Sequence, residues 1–423
     1  MRVLHLIQRY FPAFGGAEAH LRAISTRLAA EGHPVTVATT DAFDFEYFWD
    51  STRPRIPEAE GWDGGVRVLR FAVRHLPFAG LTYPAWRRML WLLSALGSVP
   101  VPLLCRLARI TPWVPDLWAW LGQTRESFDL VAAMTITYEP LMEAGLLFAR
   151  RRGIPFVAYP LTHLGVGPRP GADGLSRFYT MRHQLALVRA SDAVVAQTAA
   201  ERAFYEERGV PPERLVVVGP GVDPMQVLGG DARRFWARHG PPLPLIAFLG
   251  ALSYDKGAYH LLAAVRRLWR EGRVVALALA GQITRAARRW LDGLSMSERR
   301  NLLLLGPVSE SEKRDLLAAA DVVALPSRSD SFGIVYLEAW LYRKPVVAAR
   351  TWGVTDVVED GKDGIVVPFG DVAALTEALR ILLDSPELRH AMGLRGEAKV
   401  YAEHTWDRKY PVIRGLYSRL TKR

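Results

Sequence analysis

Residues 321–345 have the residue types and spacing of an anion-binding site. An apolar strand, Val322–Leu325, leads through a polar turn into a helix that opens near Phe332–Gly333. The N–H groups and the positive dipole end at such a helix start favour a phosphate. Asp330 lies in the turn, and Glu338 follows eight residues later inside the helix. We therefore expect an anionic ligand here, although an acidic N-cap plus one solvated glutamate would give the same spacing.

Three other loops contain residues that are suited to a site. Gly15-Gly16 stands between the first strand and the first helix, where glycine lets a ligand approach the backbone closely. Lys256 precedes a helix start, and its ammonium could neutralise a diphosphate there. His163 follows the strand Pro155–Tyr159, and the sequence is equally compatible with a structural histidine and with a site histidine.

Several other kinds of site are disfavoured by the sequence. No G-x-G-x-x-G follows the first strand, and the run 165–171 only mimics one, with two prolines and the wrong spacing. D-x-D, H-E-x-x-H, Walker A and G-x-S-x-G motifs are all missing, so we expect no tightly bound metal or cofactor. Cys105 is the only cysteine, which excludes an intramolecular disulfide and fits a reducing cytoplasm.

The elements that would position these loops form two series of alternating strands and helices. The chain has 423 residues, half of them hydrophobic, which indicates a globular protein of two or three domains. Strands such as Leu130–Met134 and Leu245–Leu249 alternate with helices, a pattern typical of parallel α/β sheets. We predict two doubly wound Rossmann-like domains, residues 1–222 and 243–401, that face each other across a cleft. Residues 223–242 are predicted to link them, and residues 402–423 to pack back on the first domain.

The alternation stops in an insert at about residues 83–120, which is rich in Trp, Leu and Pro. Residues 89–105 carry no charge, but Gly97, Pro100 and Pro102 interrupt them, so a membrane span is disfavoured. Two interpretations remain: an amphipathic, arginine-flanked segment resting on a membrane surface, or a buried helical hairpin beside an acceptor cleft.

The net charge of +11 suggests an acidic partner, such as nucleotide phosphates or anionic lipid. Basic runs interleaved with aromatic residues are missing, so we expect no nucleic acid partner. The apolar run at the N-terminus, Val3 to Ile7, is well below the length of a signal peptide's apolar region. We therefore expect a cytoplasmic protein, with the inner face of an anionic membrane as a peripheral contact.

In their order, these loops resemble the retaining family 4 glycosyltransferases (group 1) of the GT-B fold. The signature is P-S-x-x-E-x-F-G-x-x-x-x-E-A, which here reads Pro326 to Ala339, with seven residues between the first acid and the final Glu. The supporting segments are Gly15–Glu18, Gly32–Val37, Gly221–Asp223, Lys256–Gly257, Gly306–Val308 and Lys344–Val347. The resemblance covers nearly the whole chain and is weakest at about residues 41–120.

The resemblance implies transfer of a hexosyl unit, with retention, from a nucleoside-diphosphate sugar to a carbohydrate or lipid-linked acceptor, in cell-surface polysaccharide or glycolipid synthesis. It implies that the catalytic residues are His163, Lys256, Asp330 and Glu338. It assigns the donor and its phosphates to Gly15, Gly16, Lys256, Arg328, Ser331, Phe332, Gly333, Ile334 and Glu338, and the nucleobase to Gly306, Pro307 and Val308. Within these sets, Asp330 contacts the transferred sugar and Glu338 the ribose.

Two positions depart from the family pattern. The first acid of the signature is Asp330 where Glu is commoner, and Ala251 stands where the family usually has Arg. We hypothesise that Arg328 replaces this missing cation. Two alternatives stay open: a nucleotide-sugar 2-epimerase of the same fold, and a catalytically silent relative that binds nucleotide sugar.

Overall fold

The chain folds into two compact α/β units. Unit 1 comprises residues 1–219 and the chain from Tyr410 onward, and unit 2 comprises residues 220–409. The computed structural model describes residues 1–422, and the side chains of all of these except residues 285 and 297. Residue 423, the end of the predicted C-terminal segment, lies outside the described residues.

Unit 1 is built on an eight-stranded sheet with the order β3-β4-β2-β1-β5-β6-β7-β8. Its strands are β1 (Val3–Leu6), β2 (Val35–Thr40), β3 (Glu60–Asp63), β4 (Val66–Phe71), β5 (Leu130–Met134), β6 (Phe156–Tyr159), β7 (Ala193–Ala196) and β8 (Leu215–Val217). Its helices are α1 (Gly16–Ala30), α2 (Ala79–Ala95), α3 (Val101–Ala108), α4 (Pro115–Gln123), α5 (Glu139–Arg152), α6 (Arg182–Arg189) and α7 (Ala199–Glu206). All pairings are parallel except that of β3 with β4.

Unit 2 is built on a six-stranded, wholly parallel sheet with the order β11-β10-β9-β12-β13-β14. Its strands are β9 (Leu245–Leu249), β10 (Ala276–Ala280), β11 (Leu302–Gly306), β12 (Val322–Leu325), β13 (Val346–Ala349) and β14 (Gly364–Val367). Its helices are α8 (Pro224–Val227), α9 (Ala232–His239), α10 (Ala258–Arg270), α11 (Arg285–Asp292), α12 (Met296–Arg299), α13 (Glu310–Ala319), α14 (Ile334–Leu341), α15 (Val372–Asp384) and α16 (Pro386–Lys399). A π-helical turn, Val400–His404, then leads to the last helix, α17 (Trp406–Thr421).

Each sheet has a point at which the chain reverses its direction of winding. In unit 2 the chain runs outward from β9 to β11, then returns to add β12 on the other side of β9. In unit 1 the same reversal places β5 beside β1. Because connections leave such neighbouring strands on opposite faces, a crevice opens beyond their carboxyl ends, where doubly wound folds bind ligands. The predicted site loops follow β1, β6, β9, β11 and β12, at these carboxyl ends.

The segment predicted as a linker, residues 223–242, is instead part of unit 2. It forms α8 and α9, and Arg234 of α9 donates from Nε to the buried Asp315 of α13 at 2.6 Å. The N–H of Gly230 donates to the Tyr342 hydroxyl at 2.9 Å. The Gly and Arg pattern therefore reflects close packing of a short polar helix and not flexibility.

The insert forms three helices, α2 to α4, whose inner sides are packed into unit 1. Arg87 of α2 is buried and donates to Glu139, and Arg109 donates to Glu143 at 2.7 Å from Nη2. Within residues 1–422, no helix is both long enough and apolar enough to cross a membrane. The inner side of the insert is thus buried against unit 1 by polar contacts.

The C-terminal helix α17 is joined to unit 1 by buried polar groups. The Tyr417 hydroxyl lies 3.2 Å from Nε2 of His5 in β1 and 3.0 Å from the Tyr159 hydroxyl in β6. Burial lowers the pKa of His5 to about 3, so the ring is neutral and can share a proton with Ser25 at 2.7 Å. Such satisfied buried groups fix the register in which α17 packs on the sheet.

Candidate functional site

The signature turn connects β12 to α14 at the reversal point of unit 2. Helix α14 begins at Ile334, with Gly333 as its N-cap at φ 87°. Among the described side chains none caps this helix, and its first turn carries no acid. Phe332 is buried in the core of unit 2, which fixes the turn beneath the helix start. The N–H groups that follow are those that the sequence predicts for a phosphate.

The loops that follow β9 and β12 are locked together by their backbones. A Cβ at Gly257, where φ is 77°, would lie 2.1 Å from the carbonyl oxygen of Pro326. The N–H of Arg328 donates to the carbonyl of Asp255 at 2.9 Å. Only glycine permits this approach, so Gly257 sets the distance between the two loops.

Lys256 and Asp330 meet across these locked loops. The Lys256 ammonium donates to Oδ1 of Asp330 at 2.8 Å, and their side chains are 28% and 16% exposed. The structure thus brings together two of the four residues predicted to be catalytic, one from each side of the crevice. The pair holds a cation at the predicted diphosphate position and keeps it balanced by a carboxylate.

Arg328 is paired within the same two loops. Its Nε and Nη2 lie 2.8 and 2.7 Å from Oδ1 of Asp255, and its guanidinium lies 5.2 and 5.3 Å from the ring centres of Tyr254 and Phe369. The Arg328 side chain is one third exposed. If Arg328 is the replacement cation, a bound phosphate must either share the guanidinium with Asp255 or replace Asp255 as its partner.

Glu338 is held by a lysine that sequence reasoning missed. The Lys313 ammonium donates to Oε1 of Glu338 at 2.8 Å and lies 2.8 Å from Oε2 of Glu310. Burial lowers the pKa of Lys313, but the two carboxylates outweigh burial and raise it above its ordinary value. Lys313 therefore stays charged and fixes the orientation of the nearly buried Glu338.

The predicted nucleobase loop, Gly306 to Val308, follows the edge strand β11. The carbonyl of Gly306 accepts the N–H of Gly281 at 2.7 Å, and the carbonyl of Ala280 accepts the N–H of Gly250 at 2.9 Å. Hydrogen bonds thus join the carboxyl end of β10 to those of both neighbouring strands, β9 and β11. Val308 also borders a cavity of about 340 Å³ between β11, α9 and α13. The described residues that line this cavity do not include Asp330 or Glu338, so we do not assign it to the site.

In unit 1, the Gly15-Gly16 turn lies beside a buried ion pair. Helix α1 begins at Gly16, and a Cβ on Gly15 would lie 2.1 Å from Oε2 of Glu18. The Glu18 carboxylate accepts hydrogen bonds from Arg9 Nε at 3.0 Å and Gln8 Nε2 at 3.1 Å. Because Arg9 is also buried, it offsets a carboxylate that would otherwise repel an anion at this helix start.

His163 lies in the loop after β6, at the carboxyl end of the sheet of unit 1. The centre of its ring lies 4.5 Å from that of Tyr179, with the two ring planes tilted by 36°. Two residues earlier, Leu161 has φ 52°, and Thr135, after the neighbouring β5, has φ 74°. A β-branched residue in this region is strained, and such strain clusters at functional sites. The sequence did not predict the strained backbone of Thr135, because this residue belongs to no motif.

The structure therefore groups the predicted residues by unit. Lys256, Arg328, Asp330 and the start of α14 surround the reversal point of unit 2, and Glu338 lies farther along α14. Gly15, Gly16 and His163 belong to unit 1. In the described part of the chain, no group of three or more His, Cys, Asp or Glu side chains could hold a metal ion.

Comparisons with known proteins give consistent matches over both units. The family model described as Glycosyltransferase Family 4 matches residues 14–226, and that described as Glycosyl transferases group 1 matches residues 234–399. A D-inositol 3-phosphate glycosyltransferase of Kineococcus radiotolerans is 35% identical, over 90% of this chain and 85% of the relative. A glycogen synthase of Mycobacterium tuberculosis is 27% identical, over 96% and 92%. The HepE structure of Anabaena, in complex with UDP and glucose, matches with a TM-score of 0.72 at 19% identity, over 99% of both chains.

The Lys313–Glu338 pair predicts a selective binding defect. We expect Lys313→Met to weaken UDP or GDP binding about tenfold, because a hydrogen bond to a charged group is worth about 1.5–3 kcal/mol. Pyrophosphate, which lacks the ribose, should bind the variant as it binds the wild type. Calorimetric titration measures both, and Lys362→Met, which breaks only an exposed pair with Glu359, is the control. Equal weakening of nucleotide and pyrophosphate would contradict the assignment of Glu338 to the ribose.

The Arg328–Asp255 pair allows a two-sided test of the replacement cation. Arg328→Ala should lower the affinity for nucleoside diphosphate about tenfold or more through loss of a charge-assisted hydrogen bond. Asp255→Ala removes the competing carboxylate and should leave that affinity unchanged or higher. Arg343→Ala, which breaks an exposed pair with Glu397, is the matched control. If the Arg328 variant binds as tightly as the wild type, the arginine serves only to hold Asp255.

Proposed function

Since the chain belongs to the family 4, group 1 glycosyltransferases and has their GT-B fold, we propose that it moves a hexosyl unit from a nucleoside-diphosphate sugar to an acceptor hydroxyl with retention of configuration. The observation that carries the proposal is the Lys256–Asp330 pair at the reversal point of unit 2. It combines a cation for a leaving anion and an acceptor oxygen for sugar hydroxyls at the uncapped start of α14.

Each residue of the site has one physical task in this reaction. N–H groups from Ser331 to Ile334 bind the diphosphate, and Lys256 neutralises the charge that grows on it as the glycosidic bond breaks. Asp330 accepts hydrogen bonds from the transferred sugar. Glu338, oriented by Lys313, accepts those of the ribose hydroxyls.

Retention follows from attack on the face that the diphosphate leaves. No residue of the sequence stands out as a covalent nucleophile, so the acceptor oxygen forms the new bond directly. The leaving phosphate oxygen takes the proton of the acceptor hydroxyl, which balances the charge it gains. From the family resemblance we expect Gly16 to contribute an N–H to the diphosphate and His163 to contact the transferred sugar.

For the substrates, similar proteins suggest where to begin. The Anabaena structure holds UDP and glucose, so UDP-sugars are the first donors to test, followed by GDP-sugars. The relatives named above act in inositol phosphate glycosylation and glycogen synthesis, so their names do not agree on an acceptor. We propose a carbohydrate or lipid-linked acceptor, used in cell-surface polysaccharide or glycolipid synthesis on the cytoplasmic side of the membrane.

The proposal is tested by the stereochemistry of turnover. The donor that stabilises the protein most against heating is incubated with the protein, with and without an acceptor mixture, and followed by proton NMR. We expect a product with the donor's anomeric configuration, and only slow hydrolysis when the donor is alone. Asp330→Asn should lower turnover about 100-fold, as for other lost electrostatic contacts to a transition state. An inverted product would contradict retention, an epimerised sugar would favour a 2-epimerase, and binding without any product would favour a silent relative.

A further inference from the structure

The outer side of the insert carries a set of exposed large apolar side chains. Their exposures exceed those of most large apolar side chains in the protein: Phe78 84%, Leu81 77%, Leu92 54%, Leu96 63% and Leu103 46%. Such a concentration on two neighbouring helices is unusual for a surface that meets only water.

Five exposed residues of α2 and its C-cap lie on one face of the helix. Leu81, Ala85, Arg88, Leu92 and Leu96 are spaced by four, three, four and four residues, so they fall on one stripe. Every one of them is exposed. We call this stripe, together with the exposed residues Leu103 and Arg106 of α3, the outer face of the insert.

The inner side of the same helices is firmly tied to unit 1. The Ser94 hydroxyl accepts the N–H of Arg182 at 2.8 Å, and the Arg182 guanidinium donates to the carbonyl of Val99 at 3.0 Å. The guanidinium of Arg177 lies 4.2 Å from the ring centre of Trp91. The outer face is therefore presented by a rigid support and is not exposed because its helices pack loosely.

The charged side chains of α2, α3 and the loops that flank them are all basic. Residues 64–115 contain no Asp or Glu, and Arg88 and Arg106 are exposed on the outer face itself. An interface between two copies related by a twofold axis would bring these arginines to the same surface with no acid to meet them. Anionic lipid headgroups supply the missing negative charge, and the boundary of the acyl chains accepts the leucines.

We propose that the outer face of the insert docks on the anionic surface of a lipid bilayer. The leucines enter the headgroup region, and Arg88 and Arg106 pair with lipid phosphates. The segment tied to the insert, residues 177–184, follows the His163 loop, so docking holds the acceptor side of unit 1 near the bilayer. The inference adds a partner to the proposed transferase and rests on it only for the nature of the acceptor.

Vesicle flotation without donor or acceptor tests the docking separately from turnover. The full chain is mixed with vesicles of phosphatidylcholine, with or without phosphatidylglycerol. We expect the wild type to float with the anionic vesicles and far less with the neutral ones. Leu81→Glu with Leu92→Glu should abolish flotation, and Arg88→Glu with Arg106→Glu should lower the affinity for anionic vesicles on the order of tenfold or more.

The control places the same two charges on exposed apolar sites of unit 2, Met225→Glu and Val274→Glu. This variant should float like the wild type, and all variants should retain nucleotide binding, which shows that they fold. The proposal is overturned if the wild type does not float, or if the leucine variant floats as well as the control. It is also overturned if the leucine variant separates a wild-type dimer while vesicle binding is absent.

Discussion

The contact of Gly257 with the carbonyl of Pro326 is the constraint on which the site depends. It joins the loops after β9 and β12, strands that are adjacent in the sheet although two further strands separate them in the chain. Because the loops are fixed at this distance, Lys256 reaches Asp330 and the start of α14 lies beside the pair. A side chain at residue 257 would force the loops apart and separate the cation from the carboxylate. The ion pair of the site thus depends on the backbone packing of the two loops.

The charges of unit 2 are held in pairs. Lys256, Arg328 and Lys313 each contact a carboxylate, and the side chains of all three are partly exposed. Partly exposed pairs contribute only about 0–1 kcal/mol each, so a diphosphate can replace a carboxylate as the partner of a cation. Lys313 contacts two carboxylates, those of Glu310 and Glu338, so it is suited to hold Glu338 in place when a ligand binds. The site therefore combines two cations that can exchange a carboxylate for a phosphate with one hydrogen-bond acceptor, Glu338, that is held in place.

Much of unit 2 follows from the sequence, because β9 and β12 are uninterrupted apolar runs whose predicted bounds agree with the structure. The pairing of Lys313 with Glu338 does not follow, since it joins α13 to α14 across 25 residues with no spacing rule. The packing of residues 223–242 on unit 2 does not follow from the sequence either, because the glycines that border α9 are equally typical of a linker. In the insert, the sequence left two interpretations open. The structure shows buried polar contacts on one side and exposed leucines on the other, which composition alone does not separate.

We infer that the Lys256–Asp330 pair is the ligand-free form of a donor site. A crystal structure of the full chain with a bound nucleoside diphosphate would test this inference. We expect the Lys256 ammonium to leave Asp330 for a phosphate oxygen at the start of α14, while Lys313 stays on Glu338 and Glu338 accepts hydrogen bonds from the ribose hydroxyls. A diphosphate bound elsewhere, with the Lys256–Asp330 distance still near 2.8 Å, would contradict it.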